Sequence, residues 1–114
     1  MADCLFCKIV AKQVPARIVH EDEDTVAFED LNPQAPTHVL VIPREHVATL
    51  NDLAPEHDAL VGKLHRAAAK IAKDRGHDGP GWRVVMNCNR DAGQTVFHIH
   101  LHLLGGRAFR WPPG

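Results

Sequence analysis

The chain has no run of lysine or arginine long enough to build a basic stripe. Thirteen basic residues are scattered among fourteen acidic ones, for a net charge of −1. Wrapping of nucleic acid and attachment to an anionic membrane are therefore disfavoured, whereas a local anion site for a mononucleotide stays open. Long apolar stretches are lacking as well. The first twelve residues carry an acid and two cysteines, so neither a signal peptide nor a membrane span is expected, and a cytoplasmic setting is. Cysteine is scarce, at Cys4, Cys7 and Cys88, which excludes a disulfide framework. No repeat, low-complexity segment or linker divides the sequence, so 1–114 reads as a single domain whose 45% apolar content supports one modest core.

What is abundant is histidine: nine residues, three of them at 98, 100 and 102. Around them the pattern predicts mostly strands. Cys4 to Val10 reads as a short helix ended by the approach to Pro15. Arg17–His20 and Thr25–Glu29 are short β runs joined by an acidic turn, and His38–Ile42 is a third strand stopped by Pro43. Leu60, Leu64, Ala67, Ala68 and Ile71 recur at helical spacing, which predicts a long helix over Pro55–Arg75 with Gly76 at its C-terminal cap. Trp82–Asn87 and Val96–Leu104 complete the strands, with a turn at Asp91–Gln94. The expected class is α+β: an antiparallel sheet of about five strands with one long and one short helix.

From Val96 to Leu104 apolar residues and histidines alternate. In a strand, residues two apart share a face about 6.6 Å apart. Phe97, Ile99, Leu101 and Leu103 are thus expected to face the core, and His98, His100 and His102 the other side. Crowded imidazolium ions disfavour one another, so some of these rings should be neutral, and a neutral imidazole held by one nitrogen is a nucleophile, base or metal ligand. A merely polar solvent face is the plainer alternative, and three identical titratable residues at period 2 argue against it. A three-histidine metal site is a further alternative. Just upstream, Asn87 and the turn containing Gly93, Gln94 and Thr95 could present N–H and hydroxyl groups to a phosphate.

The run His98-Ile99-His100-Leu101-His102-Leu103-Leu104 resembles the signature of the histidine triad proteins. The likeness extends to Asp30–His38, to Val41-Ile42-Pro43-Arg44-Glu45-His46, to Gly93-Gln94, and to Leu104-Gly105-Gly106-Arg107 followed by Trp111-Pro112-Pro113-Gly114. These stretches are similar to the Hint branch, the histidine triad nucleotide-binding proteins that act as purine nucleoside phosphoramidases. The resemblance implies a homodimer and a covalent nucleotidyl-histidine intermediate on His100, formed by attack on an α-phosphorus. It implies that His102 donates to a phosphate oxygen and that His38 orients the triad or relays a proton. Asn87, Gln94, Thr95 and the backbone of Val96 would contact phosphate or leaving group. Asp30 would take the ribose hydroxyls, and Phe6, Ile9, Phe28, Leu31 and Leu40 would wall the base. Trp111 would lie near the partner's site. No catalytic metal is required. Many Hint proteins carry serine where Thr95 stands.

Cys4-Leu5-Phe6-Cys7 admits a redox pair, packed free thiols or a structural zinc site. The first lacks a thioredoxin-like context, and the third needs two further ligands. Relatives with this C-x-x-C carry zinc on residues that correspond here to Cys4, Cys7, His46 and His98. Cys88 reads as packing, and His57, His65 and His77 as solvated or capping residues. The expected activity is hydrolysis of purine nucleoside 5′-phosphoramidates. A nucleotide-binding regulator with incidental hydrolysis, and a small metal-binding module, are the alternatives.

Overall fold

The structure is a computed structural model that describes residues 3–114; the first two residues of the N-terminal stretch lie outside the described residues. Strands β1 (Ile18–Glu21), β2 (Thr25–Glu29), β3 (Thr37–Pro43), β4 (Trp82–Val85) and β5 (Leu101–Gly105) form one antiparallel sheet in the order β1-β2-β3-β5-β4. Helix α1 (Leu5–Val10) covers one face and α2 (Asp58–Asp74) the other. The α+β expectation holds. No helix of the described residues is long and apolar enough to cross a membrane.

Strand alternation divides the core in two. Ala27, Val39, Val41, Leu101 and Leu103 turn towards Leu64, Ala67, Ala68 and Ile71 of α2. Val26, Phe28, Leu40 and Ile42 turn towards Phe6 and Ile9 of α1. All seven residues of β3 are buried, because it is the middle strand and both of its faces are covered. Its polar members, Thr37 and His38, must therefore find partners inside the protein.

Local chemistry closes the elements. In the β1–β2 turn the Asp22 carboxylate accepts N–H bonds from Asp24 (2.9 Å) and Thr25 (2.8 Å), the Thr25 hydroxyl and His20. Burial pushes the Asp22 carboxyl up, but these bonds outweigh it and hold it far below the usual carboxylate range. Pro55–His57 forms a 3-10 turn rather than the first α turn, with His57 Nδ1 accepting the Ala54 N–H. At the other end Gly76 has φ +81°. The Gly76 N–H reaches the Lys73 carbonyl and the His77 N–H reaches that of Ala72, a Schellman closure that favours glycine.

The last strand departs from the expected Val96–Leu104. Residues 96–100 leave the sheet, and pairing with β3 begins only at Leu101. The Ile99 N–H bonds instead to the Val47 carbonyl (2.8 Å) and the Val96 carbonyl takes the Gln94 side chain. β4 consequently stops at Val85, paired with His102, because the chain that would pair with Met86 and Asn87 has gone elsewhere. Phe97, expected in the core, is 48% exposed for the same reason.

Candidate active site

A cleft of about 230 Å³ opens on the α1 face of the sheet. His100 and His102 lie in it, with Phe6, Ile9, Phe28 and Leu40 along the apolar wall. Asp30, Leu31, Thr95 and Val96 stand at its rim. Leu31 is 97% exposed and so borders the mouth rather than the wall. Leu5, Pro15, Ala16, Arg17 and Glu29 also line the cleft and were not singled out from the sequence. Pro15, Ala16 and Arg17 belong to the segment between α1 and β1, which has no periodicity of its own, while Leu5 opens α1 and Glu29 ends β2.

Each histidine has one ring nitrogen committed, and the commitments fix where the protons sit. The buried His100 donates from Nδ1 to the His98 carbonyl at 2.8 Å, so its neutral ring keeps a lone pair on Nε2. His38, 6% exposed, accepts the Gln34 N–H at Nδ1 (3.0 Å), which places its proton on Nε2. That proton faces His102 Nδ1 at 2.9 Å and, further off, the Asp30 carboxylate at 3.3 Å. His102 therefore accepts at Nδ1 and carries its own proton on Nε2. The other Asp30 oxygen accepts the Asn32 N–H at 2.7 Å. Burial lowers the affinity of His38 for a second proton, against the pull of Asp30 and Glu29. Burial, then the neighbouring His100 and His38, push His102 down to about 4. A lone pair and an N–H thus stand side by side, with the two rings 5.1 Å apart.

Gln94 and Gly93 lie behind the rim. The Gln94 amide donates to the Ala48 (2.8 Å) and Val96 (3.1 Å) carbonyls and its oxygen accepts the Asn89 N–H (2.8 Å). Its own N–H is given to the Asn89 carbonyl. The side chain expected on a phosphate is thus a buried staple of the 89–96 loop. Gly93 makes the turn, at φ +89°. Asn87 is half-buried and is not among the residues lining the cleft. Trp111 is 81% exposed and is not among the residues lining the cleft; its neighbours Arg110 and Pro112 line a different pocket of the same chain with Arg83 and Phe109.

His98 faces away from the cleft. Its Nε2–H donates to the Pro43 carbonyl at 2.8 Å, which turns Nδ1 towards Cys4 Sγ (3.4 Å) and Cys7 Sγ (3.5 Å). His46 Nδ1 lies 3.3 Å from Cys7 Sγ, and the four ligand atoms fall within 4.8 Å of one another. In a tetrahedron with Zn–S near 2.3 Å and Zn–N near 2.0 Å, S···N separations are about 3.5 Å. Donor set and spacing both fit that ion, and a carbonyl on the far nitrogen is the usual support for a ligating imidazole. Of the remaining histidines, His20 pairs with Asp22 (2.9 Å) and His57 with Glu45 (3.0 Å). His77, whose N–H caps the end of α2, is not solvated: its ring bonds the Thr37 hydroxyl (2.8 Å) and packs on Gly105.

Comparison with known proteins points to one family. The family described as "Scavenger mRNA decapping enzyme C-term binding" matches residues 3–108. A HIT-like protein of Synechocystis is 50% identical over 112 residues, covering 98% of this chain and 97% of that one. The purine nucleoside phosphoramidase of Escherichia coli is 47% identical over 105 residues, covering 92% and 88%. A HIT family hydrolase from Legionella pneumophila superposes with a TM-score of 0.96 at 49% identity, over 98% and 100% of the two chains.

Proposed function

The chain belongs to the histidine triad family of hydrolases, and we propose that it cleaves the P–N bond of purine nucleoside 5′-phosphoramidates. One observation carries the reading: in a single cleft His100 offers an unprotonated Nε2 beside the Nε2–H of His102, each set by a bond on the opposite side of its ring. The phosphoramidase relative supports the choice of substrate.

In this scheme His100 Nε2 attacks the α-phosphorus and forms a P–N bond as the bond to the amine breaks. His102 donates a hydrogen bond to a phosphate oxygen, held in that tautomer by His38, and the departing amine takes its proton from solvent. Water then attacks the nucleotidyl-histidine, releasing the nucleoside monophosphate, returning a proton to solvent and freeing His100. Asp30 takes the ribose hydroxyls, and Phe6, Ile9, Phe28 and Leu40 enclose the base, with Leu31 at the entrance. Thr95, Asn87 and the Val96 backbone serve the phosphate and leaving group, while Gln94 and Gly93 shape the loop that carries them. Cys4, Cys7, His46 and His98 hold a structural zinc, which when bound ties α1 to the histidine segment. The protein works as a homodimer in which Trp111 serves the partner's cleft.

Wild type and His100→Ala are mixed with adenosine 5′-phosphoramidate, following release of adenosine monophosphate and intact mass after a rapid quench. Turnover by wild type alone, with a transient adenylyl adduct, is expected. Binding without turnover by wild type would point to a regulatory nucleotide binder, and equal turnover by both would mean another nucleophile.

A further inference from the structure

Arg107 lines no part of the cleft and touches none of its histidines, yet a chain of hydrogen bonds joins it to them. Its Nε–H donates to the Gln34 carbonyl at 3.0 Å. The Gln34 N–H in turn donates to His38 Nδ1 (3.0 Å), and His38 faces His102 Nδ1 (2.9 Å). We propose that Arg107 is a positioning residue: by holding Gln34 it keeps that N–H on His38, and so decides which nitrogen of His102 carries the proton. This inference rests on the reading of His102 as the donor in the cleft.

The guanidinium is itself tightly placed. Its carbon sits 4.4 Å from the Phe109 ring centroid, and Nη1 donates to the Ala108 carbonyl (3.1 Å). Arg83 stacks on the same ring at 5.3 Å and ties down the Arg110 carbonyl (3.1 Å). Gly106, at φ +94°, brings the backbone of this segment so close to Pro36 that an added Cβ would lie 2.8 Å from the proline Cβ. The tail therefore braces the 31–36 loop at two points. That loop lies between β2 and β3 and has no ladder bonds of its own.

His38 is too buried for water to replace a lost Gln34 N–H at Nδ1. Its proton would then be free to move to Nδ1, leaving a lone pair on Nε2 opposite the lone pair on His102 Nδ1. The stable answer to two facing lone pairs is for His102 to protonate Nδ1, which removes its N–H from the cleft.

The test compares wild type, Arg107→Ala and Arg107→Lys by ¹⁵N imidazole NMR at pH 7, alongside kcat and the inhibition constant of adenosine monophosphate. Wild-type His102 should show a single tautomer protonated at Nε2. Arg107→Ala should show a tautomer mixture and a kcat lower by about fivefold, the worth of one hydrogen bond, with nucleotide affinity unchanged. Arg107→Lys, which can still donate to the Gln34 carbonyl, should recover part of both and keeps the test open if the alanine variant folds poorly. An unchanged single tautomer in both variants overturns the proposal whatever the rate does. Equal losses of rate and nucleotide affinity without a tautomer change overturn it too, marking Arg107 as merely structural. The NMR readout needs no substrate. A wild type that fails to cleave the phosphoramidate would sink the functional reading while the spectrum still decides this one.

Discussion

Lowering the pH from about 6.5 towards 4 should destabilise this protein through His102. The ring titrates near 4 when folded, against about 6.5 for an exposed imidazole. The direction follows from linkage. The folded state binds its proton later than the unfolded chain, so the stabilisation is complete above 6.5 and is lost as the pH falls from there towards 4. That interval, at about 1.4 kcal/mol for each tenfold change in proton activity, amounts to about 3 kcal/mol, a large share of a small domain's stability. His38 and His98 are lowered by burial as well and act in the same direction. Urea unfolding of wild type and His102→Gln between pH 4.5 and 7.5 isolates the contribution of His102, since the other groups titrate in both proteins. Wild type should lose about 2 to 3 kcal/mol more than the variant over that range. Parallel pH profiles, or a His102 ring that titrates near 6.5 by NMR, would refute the reasoning.

Gln94→Ala leaves the Asn89 N–H and the Ala48 and Val96 carbonyls without their side-chain partner. It should lower stability by about 3 kcal/mol, read as an earlier melting transition. Gly105→Ala places a Cβ 2.7 Å from the His77 ring, and should cost about 2 kcal/mol in denaturant unfolding. His77→Ala in the same chain should recover most of that loss, and no recovery would mean that the clash is not the cause. Protein purified without chelator should contain about one zinc per chain by elemental analysis. Cys4→Ala or chelation should remove it and lower the melting temperature. A metal-free wild type whose melting ignores chelators would rule the site out.

Much of the fold is legible in local chemistry. Apolar residues at helical spacing mark α2, Gly76 marks its end, and the acidic turn marks the first hairpin. Such features depend on neighbours a few residues away. The break in the histidine segment is not legible. Val96–Leu104 alternates in the same way whether or not it pairs, and what draws 96–100 off the sheet is the Val47 carbonyl, some fifty residues upstream. The place of Gln94 is hidden for a related reason: a glutamine beside a turn glycine looks free to meet a ligand, whereas its amide lies against the Ala48 carbonyl. Only the family resemblance implies His46 and His98 beside the cysteines, because no spacing rule selects two ligands from nine histidines. Arg107 stands in the sequence only as the end of the Leu104–Arg107 likeness, and no local rule assigns it a partner that lies 73 positions away.

His98 stands with its ring among the thiols and its carbonyl on the His100 imidazole. These two duties fall on different parts of one residue. The ring is specific to histidine, but every amino acid has the carbonyl. A descendant that lost its cysteines could exchange His98 for another residue of similar bulk and still hand His100 the same acceptor. The cysteine cluster and the cleft share a position here without sharing a constraint, so either can drift while the other is kept.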